Sequence, residues 1–497
     1  MSDTSVCSKV DSTIEESTPK ERKLDEYLYL GITRAICHKC YDEFLANRDP
    51  NEKLDMVDAE ILVKSGKVYL KKYCPKHGNT LTLKSNSIEW YKKSWDTSLL
   101  RRGTPPLEFK TKREHGCPYD CGICSDHHQH ICAPVIDITD ACDMNCSICV
   151  VTNKQNPNHI SLDDFKKRLD SVIQSEGSLQ ILILTGGEPT MHPNFFELVE
   201  EANSRKEITR VDVISNGLKI AKDEEFVKRL KENDVYINLQ FDGFDNESSK
   251  AHRGVSNLLP KKMKAFELLN KHNVRIVIQT AVSKGVNEDQ LGEIVKEFSK
   301  YENVTSLIFQ PLIFAGEGGY NFGGDPLDRI TGPDIVKLIA EQSDGLLEET
   351  DFDTIPCAHS ECQIVAYLWV KGEKTMPLRR VISQKKYLNM IKNELGIRPD
   401  TRQSIISGSA PVSESSGSCS CSPTSQIAHV DPLDKDQMSD FESRLKQIFI
   451  HHYMDAYNFD LGRLKKCCNM LLLKDGRQVP LCWYNIYERN HNQFCRN

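Results

Sequence analysis

Cys142, Cys146 and Cys149 stand in the segment DITDACDMNCSICV as a C-x3-C-x2-C triplet. Three thiolates from one loop can hold three irons of a 4Fe-4S cubane and leave the fourth open to a ligand. A catalytic cluster needs such an open iron, which can bind a cosubstrate and hand it an electron. Half of a zinc site is the plainer reading of clustered cysteines. The triplet, however, follows an apolar run, PVIDIT, and precedes a long series of strand and helix signals.

The chain holds nineteen cysteines in 497 residues, and the N-terminal MSDTSVCSKVDSTIEESTPKER has no apolar core of the kind an export signal carries. A reducing, cytoplasmic setting is therefore expected, where clustered cysteines read as metal ligands rather than disulfides. HGCPYDCGICSDHHQHIC repeats the triplet spacing with Cys117, Cys121 and Cys124, and Cys132 lies eight residues on. An auxiliary 4Fe-4S site is expected here, with Cys132 or one of His127, His128 and His130 as fourth ligand. A solvated loop is the preferred reading of the histidines. Cys357 and Cys362, with Cys467 or Cys468 and then Cys482, are expected to complete a second auxiliary cluster, and Cys468 is taken as the ligand of the adjacent pair. At the N-terminus, Cys37-x2-Cys40 and Cys74-x2-His77 flank an apolar hairpin-like stretch, the spacing of a zinc ribbon or rubredoxin-like site for one mononuclear Zn or Fe. Cys7, Cys419, Cys421 and Cys495 lie in polar or terminal sequence and read as spare.

The elements that must carry these groups follow from periodicity. Six short β-branched runs begin near 134, 179, 209, 235, 274 and 304, and between them lie amphipathic stretches near 161–174, 193–204, 223–232, 258–272 and 287–300. Ser161 and Asn287 read as helix caps. Strand and helix in alternation predict an α/β fold, a parallel-sheet partial (β/α)6 barrel of the TIM type, with ligands gathered at the C-terminal ends of its strands. The expected division is a disordered tail over 1–28, a metal-knuckle module over 29–100, an auxiliary-cluster segment over 101–132 and the barrel over 133–345. A cysteine-bearing extension over 346–405, a Ser/Gly-rich linker over 406–430 and a C-terminal auxiliary-cluster segment over 431–497 complete it, the last with a hairpin turning at Asp475 and Gly476. The runs Lys166-Lys167-Arg168 and Lys261-Lys262 read as solvated helix faces.

Gly186, Gly187, Glu188 and Pro189 follow the second run as TGGEPT. Together with the triplet after the first strand, they resemble the radical S-adenosylmethionine (SAM) superfamily. The resemblance implies a cluster on Cys142, Cys146 and Cys149, SAM as cosubstrate, and contacts to SAM from Gly186, Gly187, Glu188 and Pro189. It extends to Ser215, Asn216, Asp242 and Gln279 at the ends of later strands, although Asn-Gly and Asp-Gly are also ordinary turn formers.

From about residue 30 to 497, the CxxC and CPKHG knuckles, GCPYDCGIC and the ending YMDAYNFDLGRLKKCCNMLLLKDGRQVPLCWYN resemble the tetraether-lipid synthase group. That resemblance implies three 4Fe-4S clusters, a mononuclear rubredoxin-like metal, and the joining of two alkyl chain ends of membrane lipids. A radical SAM methylase or a peptide- or small-molecule-modifying enzyme is the alternative, lacking an apolar tunnel. An electron donor such as flavodoxin or ferredoxin is expected with either. The net charge of -7 argues against a nucleic-acid partner, and no apolar run reaches the length of a membrane span. A lipid substrate would thus be met by peripheral contact at a membrane surface.

Overall fold

The computed structural model describes residues 27–47, 52–96, 103–151, 157–316, 322–356, 358–371, 374–391 and 444–489. Cys357, Cys7, Cys419, Cys421 and Cys495 lie outside these residues, as do most of the expected tail and all of the expected linker.

The N-terminal part is a four-stranded antiparallel sheet of β1 (Leu28–Ile36), β2 (Met56–Lys64), β3 (Lys67–Cys74) and β4 (Gly78–Ser85), in that order. Strands β2 and β3 are joined at Ser65-Gly66, both at positive φ, and their register pairs Lys64 with Lys67 as a tight hairpin requires. Helix α1 (His38–Asn47) leaves β1 directly after Cys37, and α2 (Ile88–Asp96) follows β4.

The barrel strands are β5 (Ala133–Thr139), β6 (Leu182–Gly186), β7 (Val211–Ser215), β8 (Val235–Gln240), β9 (Arg275–Val282) and β10 (Val304–Pro311). They pair in sequence order, each parallel to the next. Helices α3 (Leu162–Glu176), α4 (Phe195–Ser204), α5 (Glu224–Glu232), α6 (Asn246–Arg253), α7 (Leu259–Lys271) and α8 (Leu291–Phe298) pack outside. Alternate strand residues, among them Ile136, Leu184, Val213, Ile237 and Ile278, bury their side chains against α-helical Phe165, Leu198 and Phe266. Each such side chain taken out of water contributes roughly 1.5–3 kcal/mol.

Two expectations change here. Asn287 does not cap a helix, because α8 begins only at Leu291; its buried amide instead ties loops together, accepting from Ser283 N and donating to the carbonyls of Asp242 and Ala281. Ser161 does cap α3, accepting from Asp164 N. The second change is α6, which the sequence conceals: NESSKAHR has no apolar stripe, and the residues it buries are Ser248, Ser249, His252 and Arg253.

The sheet does not stop at six strands. Beyond β11 (Asp353–Thr354), β12 (Gln363–Lys371) and β13 (Lys374–Pro377), strand β14 (Leu445–His451) adds parallel to β10. Strand β15 (Asn469–Leu472) adds parallel to β5 at the opposite edge, and β16 (Gln478–Pro480) closes the hairpin at Asp475-Gly476. The full order is β11-β12-β14-β10-β9-β8-β7-β6-β5-β15-β16, with β13 on β12. The C-terminal cysteines thus lie at the ends of strands added to the barrel sheet: Cys362 just before β12, Cys467 and Cys468 just before β15, and Cys482 just after β16. No helix among the described residues is long and apolar enough to cross a membrane.

Candidate active site and metal centres

The loop carrying Cys142, Cys146 and Cys149 leaves the C-terminal end of β5, and all three thiols are half-buried. The GGEP turn after β6 holds its start, with Gly187 N donating to Thr139 O and Glu188 N to Ala141 O, both at 2.7 Å. A Cβ on Gly186 would meet Thr139 O at 2.1 Å, and one on Gly187 would meet Ala141 O at 2.2 Å. The glycines therefore permit a close approach between this turn and the cysteine loop, not only toward a ligand. The Glu188 carboxylate is 2% exposed and accepts from Thr190 N, Thr190 Oγ1, Ser215 Oγ and Asn216 N. It clamps β6 to the end of β7. Asn216 passes the tie on, its amide donating to Asp143 beside Cys142 at 2.7 Å.

At the end of β8, Asp242 forms a bidentate pair with Arg253, both bonds 2.7 Å, with side-chain exposures of 1% and 8%. His252 lies against the same carboxylate. Burial by itself raises the Asp242 carboxyl, but Arg253 and His252 outweigh it and hold it far below the usual carboxylate range. Arg253 also reaches the Cys146 thiol. Sequence reasoning missed Arg253 because it missed α6. Gln279 faces Gln310, donating to it at 3.0 Å.

Lys262 corrects a further expectation. It is 3% exposed, not solvated, and its ammonium donates to Asn216 O at 2.5 Å. Of the other run, Arg168 also turns inward, onto Leu472 O at 2.9 Å. Helical spacing alone did not distinguish Lys262 from Lys261, since both flank the apolar stripe of α7.

In the N-terminal sheet, Cys37, Cys40, Cys74 and His77 present ligand atoms all within 4.8 Å of one another. His77 Nδ1 stands 3.6, 3.3 and 3.6 Å from the sulfurs of Cys37, Cys40 and Cys74, and Cys40 and Cys74 are 3.6 Å apart. These are close to the edges of a tetrahedron with bonds of about 2.1–2.3 Å, so the four residues could hold one Zn or Fe ion. Glu43 bonds the other ring nitrogen at 3.2 Å, the outer carboxylate that fixes a ligating histidine. Burial pushes the Cys40 thiol up to about 12, a cost that a cation at this place would offset.

The remaining thiols fall into two groups. Cys117 and Cys121 pack together with Cys124 nearby. Cys132, one of the candidates for their fourth ligand, lies instead beside Cys468, since pairing of β15 with β5 brings Cys132 N to Cys468 O at 3.0 Å. Cys362, Cys467 and Cys482 gather at the same place. Gln363 donates to Cys468 and Arg463 to Cys362, at 3.4 and 3.0 Å. The histidine loop is not simply solvated: His127 is 9% exposed and bonds Cys467 O, and His130 meets Cys132, whereas His128 is exposed.

The radical SAM superfamily profile matches residues 136–298, and the HMPTM N-terminal zinc ribbon domain matches 29–85. A 7,8-dihydro-6-hydroxymethylpterin dimethyltransferase of Methanocaldococcus jannaschii is 30% identical over 474 residues, covering 88% of this chain and 92% of its own length. The chain belongs to the radical SAM superfamily, with an N-terminal zinc ribbon. A GTP 3',8-cyclase of Clostridium perfringens is 25% identical over 213 residues, 42% of this chain and 61% of its own. Among solved structures, Streptococcus suis SuiB bound to S-adenosylmethionine aligns over 36% of this chain and 40% of its own at 18% identity, with a TM-score of 0.31.

Membership of the radical SAM superfamily implies a 4Fe-4S cluster, SAM and an electron donor. Three half-buried thiols on one loop fit such a cluster: thiolates are the ligands it takes, and Arg253, paired with Asp242, also reaches Cys146. Burial and then Arg253 lower the Lys262 ammonium from 10.5 to about 8. The folded radical SAM barrel therefore releases this proton before the unfolded chain does, and stability should rise with pH between about 8 and 10.5, by up to about 3 kcal/mol. Urea midpoints at pH 7.5 and 9.5 should show that rise in wild type and lose it in Lys262→Met.

Proposed function

We propose that this radical SAM enzyme is a methyltransferase that replaces carbon-bound hydrogen with methyl on a small heterocycle of the dihydropterin class. The observation that carries the reading is the likeness to the dihydropterin dimethyltransferase, which spans 88% of this chain. Alkyl-chain coupling of lipids would use the same initial chemistry, but the likeness to a dimethyltransferase over nearly its whole length favours methyl transfer.

Cys142, Cys146 and Cys149 are the ligands of the catalytic cluster in this proposal. When bound, the cluster would supply an electron that splits one SAM into methionine and a 5'-deoxyadenosyl radical able to take hydrogen from the substrate; because that methyl leaves on methionine, the transferred methyl would come from a second SAM, which with one more electron from the donor would leave as S-adenosylhomocysteine. The chain's own residues position these partners. Gly186, Gly187, Glu188 and Pro189 fix the entrance of the cysteine loop. Ser215 and Asn216 lock it from β7, and Asp242 acts through Arg253, which lies against Cys146. Burial raises the Cys142 thiol to about 12, so as a thiolate it relies on the positive charge of the irons. Cys117, Cys121 and Cys124 are assigned to one auxiliary cluster. Cys362, Cys482, Cys132 and the Cys467-Cys468 pair are assigned to a second, and Cys37, Cys40, Cys74 and His77 to the mononuclear metal. Flavodoxin or ferredoxin is the proposed donor.

Anaerobically reconstituted protein, reduced and given SAM with 7,8-dihydro-6-hydroxymethylpterin, should form 5'-deoxyadenosine and a pterin heavier by one or two methyl substitutions. A Cys142→Ala, Cys146→Ala, Cys149→Ala variant should form neither. Deoxyadenosine with an unchanged pterin, and a lipid extract lighter by coupled hydrogens, would replace methyl transfer with alkyl coupling.

A further inference from the structure

Inside the barrel, directly below the cysteine loop, amide side chains stand where aliphatic ones fill the outer face. Ile237 and Leu239 of β8 pack into the outer core, so Asn238 and Gln240 point the other way, into the barrel. Ile276 and Ile278 of β9 and Phe309 of β10 pack into the same outer core, so the alternation turns Gln279 and Gln310 inward. The register sets Gln240 opposite Gln279, and Gln279 donates to Gln310 at 3.0 Å. Three adjacent strands thus carry a continuous row of amides, with Asn238 one layer deeper.

Two members of this group have unmet hydrogen-bonding capacity. Asn238 is 3% exposed and its Oδ1 finds no hydrogen-bond partner among the described residues. The buried Oε1 of Gln240 has none either. An unpaired buried carbonyl oxygen is costly to keep, and a folded chain can retain such a cost where a ligand relieves it. Asp242 lies two residues beyond Gln240 on the same run and engages Arg253, which touches Cys146. At about 3.3 Å per residue, the unpaired oxygens lie about 7–13 Å below that position, within reach of a small planar molecule seated under the radical source.

We propose that Asn238 and Gln240, with Gln279 and Gln310 beside them, form the recognition floor for the substrate and select a small planar heterocycle that presents N–H donors on its edge. This inference rests on the methyl-transfer reading and makes it more specific. A pterin edge, with its exocyclic amine and ring N–H, offers the donors that these acceptors require. An alkyl chain offers none and would seal both oxygens away from water.

Asn238→Leu and Gln240→Met in the otherwise intact, anaerobically reconstituted protein test the proposal, with equilibrium dialysis of 7,8-dihydro-6-hydroxymethylpterin and, separately, of SAM. The expected result is a loss of pterin affinity of about tenfold or more in each variant, with SAM affinity within about twofold of wild type. Asn238→Leu should also raise the melting temperature of the ligand-free protein, because it removes an unpaired buried oxygen. A purely structural role for Asn238 predicts the opposite sign. Wild type that binds the pterin while both variants bind it equally well overturns the recognition floor and leaves methyl transfer standing. An equal loss of SAM affinity assigns the row to the cosubstrate and likewise overturns it. Wild type that does not bind the pterin at all overturns the floor and the methyl-transfer reading together.

Discussion

Gly187→Ala should leave the protein unable to retain its catalytic iron. The added Cβ would lie 2.2 Å from Ala141 O and 2.7 Å from its carbonyl carbon. Both are backbone atoms at the root of the cysteine loop and cannot swing aside as a side-chain end would. The same peptide donates from Gly187 N to Thr139 O and is followed by the bond from Glu188 N to Ala141 O, so moving the loop away breaks two bonds in addition. The cost should reach or exceed the upper end of the roughly 1–3 kcal/mol typical of overpacking. Urea midpoints should fall accordingly, and iron content after reconstitution should drop by the share held on Cys142, Cys146 and Cys149. Gly31→Ala is the control, since its Cβ meets nothing within 4 Å and its effect should stay within about 0.5 kcal/mol. Equal iron content and stability in the two variants would show that the approach of the turn to the loop is not what holds the site.

The second large effect belongs to Arg253→Met. Removing one partner of a buried, bidentate pair leaves the other as an uncompensated charge, which costs about 3–5 kcal/mol. Asp242, at 1% side-chain exposure, would be that charge. The sign with pH is definite. In wild type the carboxyl is held far below its ordinary value, so the pair stabilises the fold at neutral pH, and that contribution is lost as pH falls below about 4. In the variant, burial acts unopposed by Arg253 and raises the same carboxyl, so protonation relieves the fold as pH falls. The gap in urea midpoint between wild type and variant should therefore be wide at pH 7 and narrower at pH 5. A gap independent of pH would mean that Arg253 acts through packing alone. Substrate-free cleavage of SAM should fall as well, because Arg253 lies against Cys146 and the neighbouring His252 carbonyl accepts from Ile148 N in the cysteine loop.

The strand and helix alternation from Ala133 onward was legible in the chain alone, because β-branched runs and 3.6-residue stripes are local signals that survive without tertiary context. The spacing of Cys142, Cys146 and Cys149 and of the Cys37, Cys40, Cys74 and His77 knuckles was legible in the same way, because these residues lie within one or two loops of chain. Tertiary structure alone decided which distant groups meet. Cys132 sits beside Cys468 because β15 joins the free edge of β5, a pairing between segments over 300 residues apart that no local pattern encodes. The same holds for Lys262, whose charge sequence reasoning gave to solvent. Helical periodicity places a residue on a face but does not say what that face meets, and here it meets the backbone of Asn216. Helix α6 was hidden for the converse reason: its inward side is polar because it serves the site, and a pattern that equates burial with apolar residues passes over Arg253 for the very property that pairs it with Asp242.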